Sequence, residues 1–146
     1  MTPTLKPALA RLPFLALLAG LLMLAGCAST PDRADALREA QYAWSAAIRW
    51  GDFEGAWNLV DPEYRKAHPM TAVEFERYKH VNISAYHDLG TQTLPDETVV
   101  REIELGVINR HTMTERSMRY TERWRYDTEA NAWWVTSGLP DLWQGE

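Results

Sequence analysis

Three polar residues interrupt otherwise apolar stretches of this chain, and their types suit acid–base or anion-binding chemistry: His87, Arg101 and Glu122. Val81, Ile83, Ala85, His87 and Leu89 alternate with Asn82, Ser84, Tyr86 and Asp88, a period of two that predicts a strand with His87 on its apolar face. Val99, Ile103, Leu105 and Val107 alternate next, and Met118, Tyr120, Trp124 and Tyr126 form the apolar face of a third strand. A four-residue turn at Arg110 to Met113 pairs Asn109 with Thr114. The same register sets Leu105 opposite Met118, Ile103 opposite Tyr120 and Arg101 opposite Glu122. Two readings of the charged pair stand side by side. In one it floors a pocket, with Glu122 as acid or base, Arg101 as its partner or an anion clamp, and Tyr120 and Trp124 as walls. In the other it is an exposed ion bridge at the sheet edge, worth about 0–1 kcal/mol. A bulge could also turn Glu122 outward. If the pair is buried, removing one partner costs about 3–5 kcal/mol.

Other chemistry is poorly supplied. His68, His80, His87 and His111 show no i, i+3 or i, i+4 pairing, so no metal or cofactor is expected. The sequence contains no Gly-x-Ser-x-Gly elbow and no phosphate-cradling glycine loop. Ketosteroid-isomerase chemistry needs an aspartate base opposite a tyrosine and a protonated aspartate. Tyr42, Tyr64, Tyr78 and Tyr86 are available, but that constellation does not map onto this chain residue by residue.

The elements that must position these residues come in a readable order. Thr30-Pro31 or Asp32 caps a helix whose Leu37, Ala40, Trp44, Ala47 and Ile48 share one face, and Gly51 ends it. Asp52 caps a short helix with Phe53, Ala56, Trp57 and Val60 facing inward. Asp61-Pro62 repeats the signal, and His68-Pro69 stops that turn. Thr71 and Glu74 form a capping box for a fourth helix, to about Lys79. Strands follow, with turns at Leu94 to Glu97 and Asp127 to Ala130 and a last strand from Trp133 to Leu139. Helices followed by antiparallel strands predict an α+β fold, N-terminal helices packed on a curved sheet of about four strands.

The N-terminal 26 residues have the layout of an export signal: Lys6 and Arg11, an apolar run from Leu12 to Leu24, then small residues. Thirteen residues broken by Pro13 and Gly20 fall short of the roughly 20 needed to span a bilayer. Leu24-Ala25-Gly26-Cys27 resembles the lipobox of bacterial lipoproteins. The resemblance implies that Cys27, the only cysteine, becomes the lipidated N-terminus. It further implies acyl anchoring to the membrane of the cell envelope, and Ala28 after Cys27 favours the outer membrane, facing the periplasm. Each buried methylene contributes about 0.8 kcal/mol, so several acyl chains hold permanently. The expected organisation is a signal peptide at 1–26, a lipidated cysteine and tether at 27–31, and one domain at 32–146. All 20 acidic residues but only 13 of the 15 basic ones follow residue 26, a charge of about −7 that argues against a nucleic-acid role.

From Trp44 through Leu139 the chain resembles the NTF2-like (ketosteroid-isomerase-like, SnoaL-like) superfamily. The resemblance rests on Gly51-Asp52-Phe53, the apolar helix after it, the Asp61-Pro62 turn, and Arg123-Trp124-Arg125-Tyr126-Asp127 before Ala132-Trp133-Trp134-Val135. It implies a cone-shaped pocket between helices and sheet. It does not imply an activity, because the superfamily hosts enzymes, binders and assembly modules alike. The expectation is a lipid-anchored domain that binds a partner protein or small apolar ligand without catalysis, with Trp133 and Trp143 as contact surface. The alternatives are an isomerase- or dehydratase-type enzyme using Glu122 or His87, and a homodimeric or larger envelope assembly subunit.

Overall fold

A computed structural model describes residues 32–143. The signal-peptide, lipobox and tether expectations, Cys27 included, lie outside the described residues. Four helices precede four strands: α1 (Arg33–Trp50), α2 (Phe53–Trp57), α3 (Pro62–Ala67), α4 (Ala72–Tyr78), β1 (Val81–Thr93), β2 (Val99–Asn109), β3 (Glu115–Asp127) and β4 (Ala132–Val135). The strands form one antiparallel sheet in the order β1-β2-β3-β4, curved and unclosed, with the helices packed on one face. This is the expected α+β architecture. Among the described residues no helix is long and apolar enough to cross a membrane.

Local chemistry sets the helix ends. Gly51 adopts φ 73°, the left-handed conformation that costs glycine nothing, and its N–H closes on Ala47 and Ile48. Asp52 accepts from Gly55 N, and Asp61 from Glu63 N ahead of Pro62. Thr71 and Glu74 complete the capping box reciprocally. Asp32 stands at the N-cap of α1, but its side chain makes no capping bond. Trp44 and Ile48, one turn apart on α1, are fully buried against Ile103, Leu105 and Trp124. The last strand is shorter than the sequence suggests. Regular pairing ends at Val135, with one last bond from Thr136 N to Arg123 O, while the Leu59–Asp61 segment bonds both the N–H and the C=O of Val135 and so covers that edge.

The β2–β3 register agrees with the alternation: Leu105 pairs with Met118, Ile103 with Tyr120, and Arg101 with Glu122. Strand β1 departs from it. Register shifts between Ile83 and Ala85, and again between Asp88 and Gly90, each insert one extra residue. One extra residue flips the faces that follow. Tyr86 and Asp88 therefore lie opposite Leu105 and Ile103 on the inner face, and His87 is exposed on the other. The placement of His87 on the apolar face is thus corrected.

Gly106 accommodates the first bulge. A Cβ there would come within 2.4 Å of Ser84 Oγ and 3.0 Å of both Ala85 Cβ and Ala85 N. Ser84 Oγ is itself held by Glu115 at 2.5 Å. Gly106→Ala is therefore expected to destabilise the chain by ~1–3 kcal/mol, an overpacking cost. Urea denaturation of the full chain checks it, and an unchanged midpoint would show that the bulge relaxes freely.

Candidate functional site

The inner face of the sheet carries a charged cluster built from three strands and a helix. β3 supplies Glu122, fully buried at 0 % exposure. β2 supplies Arg101 directly opposite, its side chain 10 % exposed. Arg101 Nη1 donates to Glu122 Oε2 at 3.2 Å, while Nε and Nη2 both donate to Asp88 Oδ2, at 3.0 and 2.8 Å. Trp124 Nε1 donates to Glu122 Oε2 at 2.9 Å, and the Tyr86 hydroxyl donates to Glu122 Oε1. Trp44 of α1 lies edge-on to Trp124, ring centroids 6.2 Å apart at 81°. Its indole N–H also favours the charged form of Glu122, though it makes no hydrogen bond of ordinary geometry. The carboxylates form a gradient: Glu122 is sealed, while the Asp88 side chain is 42 % exposed at the solvent end.

Burial dominates the protonation of Glu122. Desolvation lifts its pKa above the ordinary carboxylate value of 4.5, against the opposing pull of Tyr86, Arg101, Trp124 and Trp44. The Tyr86 hydroxyl is pushed far up, by burial first and by Glu122 second, so it stays a donor. A pH dependence follows. A carboxyl whose folded pKa is raised binds more protons folded than unfolded above about pH 4.5, so its contribution is full below that pH and is lost as pH rises through the folded pKa. Glu122→Gln is thus expected to flatten the stability–pH curve on the alkaline side of 4.5, measured by denaturant midpoints across pH 4 to 8. An identical curve for both proteins would refute the raised pKa. Glu74 and Asp127 work oppositely: backbone hydrogen bonds lower both, so their contribution fades as pH falls through their folded values.

The sequence-derived candidates separate in space. Arg101, Glu122 and Trp124 meet. Tyr120 faces the same side, its hydroxyl donating to Gly138 O at 2.8 Å and lying 3.2 Å from Ser137 Oγ. His87 lines instead a surface hollow of about 380 Å³ with Arg49, Trp50 and Tyr86. Trp133 packs at a tilt against Tyr126 and donates to Arg33 O at 3.0 Å, which ties the β3–β4 hairpin to the start of α1. Trp143 packs on Tyr78 and lines a groove of about 490 Å³. Sequence reasoning missed Tyr86, Asp88 and Trp44 as neighbours of the charged pair. Gly106 opposite the first bulge is the signal that could have found the first two.

Chemically, Glu122 is a buried acceptor with both oxygens engaged. Its oxygens accept from a tyrosine, an arginine and a tryptophan, and the indoles of Trp44 and Trp124 beside it are fully buried. The charged pair is a buried one, in place of the exposed bridge at a sheet edge. Among the described residues no group of three or more histidine, cysteine or acidic side chains has the arrangement of a metal site. Comparison of the chain with protein-family models, with curated proteins and with solved structures finds no match.

Proposed function

We propose that this chain is an envelope lipoprotein, anchored by acyl chains on Cys27, whose NTF2-like domain binds a partner protein or a small ligand with an apolar face and performs no catalysis. The observation that carries the reading is the state of Glu122. A general acid or base must reach a substrate proton, and Glu122 is sealed beneath Trp44 and Trp124 with both oxygens engaged. Binding capacity lies at the surface instead, where the groove beside Trp143 falls within the ~300–1,000 Å³ of ordinary ligand sites. The anchor follows from the lipobox resemblance and the short tether.

Two measurements on the full chain test this. Cys27→Ser is expected to release the protein from the membrane fraction and to abolish the acyl mass increment. Isomerase and dehydratase substrates are expected to give no turnover. Turnover that disappears in a folded Glu122→Gln variant would overturn the non-catalytic reading.

A further inference from the structure

We propose that the groove between α2, α3, α4 and the C-terminal segment is a binding site for a neutral saccharide. The inference rests on the non-catalytic binding reading and gives its ligand a chemical class. Four aromatic side chains, Trp57, Tyr64, Tyr78 and Trp143, converge on the groove from four different segments. They brace one another at angles: Trp57 stands edge-on to Tyr64 at 6.2 Å, and Tyr78 edge-on to Trp143 at 4.9 Å. Neighbours fix several of these rings before any ligand arrives. The Tyr78 hydroxyl donates to Pro140 O at 3.1 Å, and the Arg77 guanidinium lies 4.2 Å over the Trp143 ring. Pre-positioned walls lower the ordering cost of binding.

Polar groups set the class. Arg77 brings planar donors and pairs with no carboxylate among the described residues. Asp141 and Glu74 bring acceptors to the same lining. One Asp141 oxygen accepts Trp143 N at 3.1 Å, which leaves the other for a ligand hydroxyl. One guanidinium stands against two carboxylates, a net charge of −1 on the lining, which disfavours an anionic ligand. Charged groups at the lining also argue against an acyl chain. A molecule with apolar ring faces and a rim of hydroxyls meets both halves of the lining: C–H faces on the aromatics, hydroxyls on Arg77 and Asp141.

The test is calorimetric titration of the full chain in detergent micelles with two neutral probes, maltotriose and triacetylchitotriose. Saturable binding of at least one is expected. Trp143→Ala is expected to weaken it at least about tenfold, the scale of a lost aromatic anchor. Asp141→Asn, which keeps the acceptor for Trp143 N, is expected to weaken it less, and Trp50→Ala, on an 86 % exposed side chain away from the groove, to leave it unchanged. No saturable heat with either probe overturns the saccharide assignment and leaves the non-catalytic reading standing. Binding indifferent to both groove variants overturns it too, by placing the sugar elsewhere. Cleavage of a probe that is lost in Glu122→Gln overturns the non-catalytic reading instead.

Discussion

Arg101→Ala is expected to destabilise the protein by ~3–5 kcal/mol, because it leaves a buried carboxylate without its cation. The loss concentrates on Glu122. Asp88, the other partner of Arg101, has a side chain 42 % exposed and can exchange its bonds for water. Glu122 at 0 % exposure has no such recourse. Two features separate this mechanism from a mere packing defect. First, burial already raises the Glu122 pKa and Arg101 opposes that rise, so losing the guanidinium lifts it further. The destabilisation is therefore smallest under acid conditions, where Glu122 is protonated, and grows as pH rises above about 4.5. Second, a double replacement, Arg101→Met with Glu122→Met, removes both charges and is expected to recover most of the loss, since an apolar pair of similar volume often matches a buried ion pair. Denaturant midpoints of the two proteins at acid and neutral pH check both. A pH-independent loss, or a double variant as unstable as the single one, would show that Arg101 acts through packing alone.

Trp124→Ala is expected to cost ~3–5 kcal/mol, as large-to-small changes at fully buried aromatics do. Trp124 carries two roles that a second variant divides. Its ring meets Trp44 edge-on at 6.2 Å, and its Nε1 donates to Glu122 Oε2 at 2.9 Å. Trp124→Phe keeps an aromatic ring and deletes the donor, so the expected loss falls to about 1–3 kcal/mol, the scale of a hydrogen bond to a charged group. In the background of Glu122→Gln that residual loss is expected to shrink, because the acceptor is no longer a carboxylate. Urea unfolding with unchanged m-values is the measurement. Equal losses for the alanine and phenylalanine variants would assign the whole effect to the hydrogen bond and none to packing.

Much of this protein was legible in its residues one after another. Asp52, Asp61-Pro62 and Thr71 with Glu74 place three helix starts, because a cap is a bond between neighbours in sequence. The pairing of Arg101 with Glu122 followed from a turn length and two alternations, because an unbroken antiparallel ladder carries register outward from its turn. Tertiary structure alone decided what surrounds that pair. On β1 the bulge at Ser84 is invisible to a count of alternating residues, yet it exchanges His87 for Tyr86 and Asp88 on the inner face, and the bulge at Leu89 restores the original alternation beyond it. Likewise His80 and His111, 31 positions apart, have ring nitrogens 3.0 Å from one another, a neighbourhood made by two turns meeting at one end of the sheet. The burial of Glu122 belongs to the same class. Its depth is set by Trp44 on a helix 78 positions earlier, and desolvation depends on what covers a charge in three dimensions, which no local pattern records.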